Sequence, residues 1–250
     1  MKTTGNTMLF TGGTSGLGLG LALRFADAGN TVIVAGRRTD LLDRIVAEHP
    51  GISAVPLDVA DPASIAAACE TVSRSHPQLD VLVNMAGIMQ PEDLRDPGHL
   101  AVAEATVTTN LLGPIRVTNA FLPLLLQQPA AAVVTVSSGL AFVPLPATPT
   151  YNATKAAIHS WTESLRVQLA GTPVQVVELV PPAVQTDLMP GHADDESAMP
   201  LEEYLAETFG ILQSEPDVEE VLVDRVRFLR FAEVEGRYDD VLALLSARAS

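Results

Sequence analysis

Apolar positions along this chain follow two alternating patterns. Short runs rich in Val, Ile and Leu occupy 7–11, 31–35, 53–57, 80–84, 132–137 and 174–180. Runs of that length with little polar interruption predict strands covered on both faces, as in a parallel sheet. Between them, 17–28, 40–49, 62–76, a long stretch 98–127, and 151–170 carry apolar residues at helical spacing. Asp61-Pro62 supplies an N-cap followed by a first-turn proline. Strict alternation of the two patterns implies a single α/β domain over 1–250, a doubly wound parallel sheet with helices on both faces. From about residue 200 the spacing turns helical, at 201–212, 218–231 and 241–247, and nothing after 216 predicts a seventh strand. The polar segment 187–200 holds His192, Asp194, Asp195 and Glu196. Its length predicts a functional loop, so 187–215 is expected to act as a lid over a substrate.

Composition narrows the class. Hydrophobic residues make up 47% of the chain and charged residues 18%, enough for a packed core. No apolar run approaches the ~18 residues of a membrane span, and the N-terminus lacks the basic and apolar segments of a secretory signal. A cytoplasmic protein without membrane contact is expected. The formal net charge of −15 argues against nucleic acid as a partner. The segment 187–250 carries 16 of the 30 acidic residues, which reads as a solvated surface. The single cysteine, Cys69, makes no intrachain disulfide and reads as a small buried hydrophobe. His49, His76, His99, His159 and His192 show no metal-ligand spacing, so no metal is expected. His159, one turn beyond Lys155, reads as packed or on the surface, and Trp161 as core or subunit interface.

Chemistry-bearing residues cluster at the strand ends. The first strand runs into Thr11-Gly12-Gly13-Thr14-Ser15-Gly16-Leu17-Gly18 and then a helix. Glycines there allow a tight turn and close approach of a pyrophosphate to the helix N-terminus. The second strand ends in Ala35-Gly36-Arg37-Arg38. An NAD-selective site would carry a carboxylate at that point. Two guanidinium groups suit a 2′-phosphate instead, so NADP(H) is expected over NAD(H). Tyr151-Asn152-Ala153-Thr154-Lys155 places a phenol and an ammonium on one helix face, one turn apart. The ammonium is expected to favour the phenolate and lower the tyrosine pKa from ~10. Lys155 is one of two lysines, Lys2 being the other. Ser138 ends the fifth strand, where a ligand crevice opens.

The spacing Gly12-x-x-x-Gly16-x-Gly18, with Ser138 and the Tyr151-x-x-x-Lys155 pair, resembles the short-chain dehydrogenase/reductase family over nearly all of the chain to about residue 190. Ser137–Leu145 together with Pro181-Pro182-Ala183-Val184 and Thr186-Asp187 looks closest to its DltE-type branch. The resemblance implies a Rossmann-type fold and a catalytic tetrad of Asn110, Ser138, Tyr151 and Lys155, with Asn110 holding a water in a proton relay. It implies cofactor contacts from Gly12, Thr14, Ser15, Gly16, Leu17 and Gly18, from Arg37 with Arg38 flanking the adenine, and from Asp58 and Val59. Asn84, Ala86 and Gly87 would lie under the adenosine ribose, although Met85 departs from the family pattern. Pro181, Val184 and Thr186 would meet the nicotinamide carboxamide, with Pro182 replacing a glycine.

The implied activity is hydride transfer between NADP(H) and a ketone or aldehyde and its alcohol, as in a carbonyl reductase or alcohol dehydrogenase. Leu140, Phe142, Val143 and Leu145 predict a partly apolar substrate, or else loop packing. An isomerase or dehydratase with tightly held cofactor, and a non-catalytic NADP-binding sensor, are the alternatives. The family commonly dimerises through the helices at 98–127 and 151–170, so a homodimer is expected, with a tetramer as the other possibility.

Overall fold

A computed structural model of the chain describes residues 1–189 and 191–248. Pro190 of the expected lid, and the last two positions of the expected domain, lie outside the described residues.

Seven strands form one parallel sheet: β1 (Thr7–Thr11), β2 (Thr31–Gly36), β3 (Ile52–Pro56), β4 (Val81–Asn84), β5 (Ala131–Val136), β6 (Val174–Leu179) and β7 (Glu220–Val221), in the order β3-β2-β1-β4-β5-β6-β7. The main helices are α1 (Gly16–Asp27), α2 (Thr39–Glu48), α3 (Pro62–Ser75), α4 (His99–Val107), α5 (Gly113–Leu125), α6 (Pro149–Gln168) and α7 (Leu201–Ser214). Two shorter ones follow, α8 (Arg227–Arg230) and α9 (Tyr238–Arg248). This is the doubly wound α/β architecture expected.

Alternation along β1 divides the core. Met8 and Phe10 point to one side, with Leu21 and Phe25 of α1 and Leu205 and Leu212 of α7. Leu9 points to the other, with Ile65 and Val72 of α3 and Phe121 and Leu125 of α5. Gly20 lets α7 approach, since a Cβ there would lie 2.4 Å from Leu205 Cδ1. Asp61 caps α3 as predicted, accepting from the Ala63 amide at 2.9 Å. The chain reverses its direction of winding between β1 and β4, and a crevice opens beyond their carboxyl ends, where ligands bind in such sheets.

The stretch 98–127 is helical with a π-turn at Thr108–Leu112 that separates α4 from α5, next to Gly113 and Pro114. One expectation needs correction. The stretch 218–231 is mostly not helical. Glu220 and Val221 pair with Glu178 and Leu179 as a seventh strand, followed by a tight turn at Asp224–Val226 and the short α8. A strand of two residues is too short to leave an alternating signal. Its apolar neighbours pack into the core instead: Val221, Val223 and Val226 are all buried.

Candidate active site

The glycine loop is held open by backbone geometry. Gly12 and Gly16 adopt φ of 68° and 53°, a region side chains disfavour. A Cβ on Gly12 would sit 2.7 Å from Ala86 Cα, and one on Gly18 would sit 2.4 Å from the Gly12 carbonyl oxygen. The loop is thereby seated against the turn after β4. Thr11 fixes that seat, its Oγ1 accepting from the Met85 and Ala86 amides at 3.0 and 3.2 Å and donating to the Val83 carbonyl. Ser15 begins α1 in an extended conformation with no side-chain cap, so the helix N-terminus faces the crevice with unsatisfied N–H groups.

At the end of β2, Arg38 Nη2 donates to Thr14 Oγ1 and Ser15 Oγ at 2.9 and 3.0 Å. Arg37 is exposed, lines the same cavity and has no hydrogen-bond partner among the described residues. Asp58 Oδ1 accepts from the Ala60 amide, and the Asp58 amide donates to Ser64 Oγ. Asn84 lies behind the cavity wall. Its Nδ2 donates to Thr118 Oγ1 at 3.0 Å, while its Oδ1 is buried without a partner.

Three of the four residues expected to be catalytic, Ser138, Tyr151 and Lys155, come together at the start of α6. Glu92 accepts from the Thr150 amide and hydroxyl at 3.0 and 2.8 Å, and Asn152 Nδ2 donates to the Leu145 carbonyl at 2.7 Å. These bonds fix the first turn, which carries Tyr151. Ser138 faces it from the turn after β5, its Oγ accepting from the Leu140 amide at 3.1 Å and its hydroxyl lying on the side of the Tyr151 phenol. Lys155 Nζ donates to the Val136 carbonyl at 2.8 Å and lies 5.5 Å from the centre of the Tyr151 ring.

Burial governs the electrostatics here. It pushes the Tyr151 phenol up to about 12, against the opposing influence of the Ser138 hydroxyl. It also pulls the Lys155 ammonium down to about 8, against the negative charge of Glu178. The expected lowering of the tyrosine by its lysine neighbour is not what the crevice produces: burial raises the phenol instead. Tyr151 stands as a protonated hydrogen-bond donor.

Asn110 occupies the π-turn, buried. Its Oδ1 accepts from the Ile88 amide and its Nδ2 donates to the Ile88 carbonyl, both at 2.8 Å. It therefore clamps the loop after β4 rather than lining the cavity. Thr186 lies over the glycine loop, its Cγ2 3.4 Å from where a Gly16 Cβ would be. Val184 forms an isolated parallel bridge with Met199.

One cavity of about 1070 Å³ joins these groups, from Arg37, Arg38, Asp58 and Val59 at one end to Ser138, Tyr151 and Lys155 at the other. It exceeds the ~300–1,000 Å³ usual for a single small ligand, leaving room for a dinucleotide with a substrate beside it. Gly12, Thr14–Gly18, Ala86, Gly87, Pro181, Val184 and Thr186 also line it; among the expected site residues only Asn84 and Asn110 do not.

Sequence reasoning missed the far wall, formed by Arg225, Phe228 and Leu229 around α8 and by Leu244 and Leu245 of α9. These residues belong to no motif, and only the apolar spacing of the last helix hinted at a buried face. In the loop after β5, Leu140 and Leu145 face the cavity. Phe142 instead packs on His159 and Arg230, and Val143 on Ala232 and Val241. His159 is packed as expected. Although its spacing in sequence gave no hint of ligands, it meets Glu178 and Glu220 with side-chain N and O atoms all within 4.8 Å. Cys69 is half-buried, its thiol donating to the Ala120 carbonyl at 3.3 Å.

Comparison with known proteins agrees with this geometry. The short chain dehydrogenase family matches residues 6–197. The chain is 43% identical over 189 residues to an uncharacterized oxidoreductase DltE of Bacillus subtilis, covering 75% of each chain. It is 34% identical over 185 residues to sulfoacetaldehyde reductase 2 of Chromohalobacter salexigens, covering 72% of this chain and 73% of the relative. Among solved structures, a 3-ketoacyl-(acyl-carrier-protein) reductase from Brucella melitensis complexed with NADH superposes with a TM-score of 0.78 at 28% identity, over 88% of this chain and 97% of that one. A short chain dehydrogenase from Burkholderia cenocepacia in complex with NADP gives a TM-score of 0.83 at 23% identity, over 98% and 99%, a likeness of fold.

Proposed function

This chain belongs to the short-chain dehydrogenase/reductase family and is an oxidoreductase of that family, and from that premise we propose that it reduces a ketone or aldehyde, reversibly, with NADP(H). The observation that carries the reading is a buried Tyr151 that lines the inner end of the cavity together with Ser138 and is backed by Lys155. The fit to a dinucleotide rests on the glycine cradle, where a Cβ on Gly12 or Gly18 would collide with backbone, and on the cavity that runs from it to Tyr151. When bound, the nicotinamide supplies or accepts the hydride.

The remaining work falls to the chain. Ser138 and Tyr151 donate hydrogen bonds to the substrate carbonyl oxygen, polarising it, and Tyr151 gives up its proton as negative charge develops there. Lys155 stabilises the resulting phenolate. In the oxidation direction Tyr151 takes the proton back. Arg37 and Arg38, with no carboxylate at the end of β2, favour the 2′-phosphate of NADP(H) over a bare ribose. Asp58 and Val59 suit the adenine, and Thr186 with Pro181 and Val184 the carboxamide. Asn110 is assigned to the relay through the helix irregularity it occupies.

Leu140, Leu145, Phe228, Leu229 and Leu244 around the inner end suit a partly apolar substrate. Residues 187–215 serve as the lid of the single domain. Exposed Leu100, Val107, Leu112, Leu126 and Val167 on or just beyond α4, the π-turn, α5 and α6 support a homodimer through those helices. No described helix is long and apolar enough to cross a membrane, which is consistent with a cytoplasmic enzyme. A panel of ketones and aldehydes followed by loss of NADPH absorbance, repeated with NADH, tests the proposal. Turnover with NADPH well above NADH is expected. Equal efficiency would refute the role of the arginines, and no turnover of any carbonyl would refute the activity.

A further inference from the structure

The apolar strand β6 reads Val174-Gln175-Val176-Val177-Glu178-Leu179, and its one carboxylate is completely buried. A charge in such a place is strongly unfavourable unless partnered. Both Glu178 oxygens meet His159 Nδ1 at 3.0 Å, its sole hydrogen-bonding side-chain partner among the described residues. His159 stands one turn beyond Lys155 on α6. On the sheet, Glu178 is the register partner of Thr135, and the next residue, Val136, accepts the hydrogen bond from Lys155 Nζ. The carboxylate thus lies one sheet position from the anchor of the catalytic lysine, on the adjoining strand. It does not line the cavity described above, and that site leaves it without a role.

We propose that Glu178, held by His159, is a positioning residue for the reaction: a buried negative charge behind the catalytic helix that keeps the Lys155 side chain an ammonium. This inference rests on the reading of Lys155 as the partner of Tyr151. The groups facing the lysine are Tyr151 on its own helix, Glu178 on β6 and the Val136 carbonyl on β5. Those facing the histidine are Glu178, Glu163 on α6, Glu220 on β7 and the Phe142 ring. Glu220 is already neutralised by Arg230, which reaches it through two hydrogen bonds of 2.8 and 3.0 Å. Glu178 shares its charge with His159, whose protonation it favours, and with Arg230, and it is the carboxylate whose charge reaches Lys155. Burial alone drives the ammonium toward the amine, and Glu178 is the group that opposes it.

The protein's two lysines make the test direct. Acetic anhydride labelling across pH, quantified by mass spectrometry of the Lys155 peptide against exposed Lys2, reports the protonation of Lys155 without any turnover. In E178Q the labelling midpoint should fall by roughly one pH unit or more. The alkaline limb of kcat/KM for NADPH-dependent reduction should move the same way. H159Q keeps a neutral donor on the carboxylate, so its midpoint should stay at or above that of the wild type. An unmoved midpoint in folded E178Q overturns the proposal. If E178Q does not fold, H159Q decides alone: a midpoint at or above wild type supports the proposal, and a fall overturns it. A midpoint that falls in E178Q while the rate profile stays fixed overturns Glu178 as a positioning residue for the reaction. In that case the fault lies with the reading of Lys155, and the charge coupling stands.

Discussion

The two ends of the cavity are built on different principles. The dinucleotide end rests on β1, β2 and β4, whose side chains are nearly all buried, and on glycines that tolerate no Cβ. The far wall comes from a four-residue helix, a tight turn and α9, with Phe228 and Leu244 still 46% and 45% exposed. One end is fixed by backbone contact and the other by a few replaceable side chains. A cofactor common to many reactions needs the first kind of construction, whereas a particular substrate needs only the second.

That contrast can be broken at several points. The largest effect is expected from Y151F, which removes the proton donor shared by every substrate: kcat should fall about 10²–10⁴-fold with NADPH affinity, measured by fluorescence titration, unchanged. Retained turnover would move the chemistry away from α6. K155M removes a buried cation. Because the lysine sits at about 8 when folded against ~10.4 unfolded, the unfolded chain binds the extra proton between those values. The native lysine therefore weakens the fold below about pH 8, and that cost fades as pH rises toward 10.4. K155M should gain on the order of 3 kcal/mol near pH 7, with the gain shrinking toward pH 10 in denaturant titrations, while activity is lost.

R37A/R38A should weaken NADPH by about 10- to 100-fold, as expected for charge-assisted hydrogen bonds worth ~1.5–3 kcal/mol, and leave NADH nearly unaffected. Similar losses for both cofactors would mean the arginines only shape the turn. F228A sharpens the comparison most gently. It should raise KM for the bulkier apolar carbonyls by up to about tenfold while the Kd for NADPH stays constant. A matching loss of cofactor affinity would show that the two ends are not independent.

What could be read in the sequence follows the same divide. The first six strands announce themselves because strands covered on both faces must be continuously apolar, and the Gly12–Gly18 and Tyr151–Lys155 spacings because their chemistry tolerates few alternatives. β7 escaped because two residues carry no period, and α8 because four residues cannot show a helical one. The tyrosine's electrostatics escaped for another reason: a charge four residues away is visible in sequence, but the desolvation that raises the phenol is a property of the folded crevice. Glu178 was visible as a letter in an apolar strand, yet its meaning depends on a histidine from another element.

The π-turn at Thr108–Leu112 behaves as a one-residue wedge in what would otherwise be an unbroken rod. Excising one residue there would let the rod close into regular α-helix with its flanking turns in phase, and the bulged-out position that Asn110 holds would disappear. Asn110 would then lose its double grip on Ile88. The strip that follows β4 along the crevice would come loose without any change to a residue that touches the ligands.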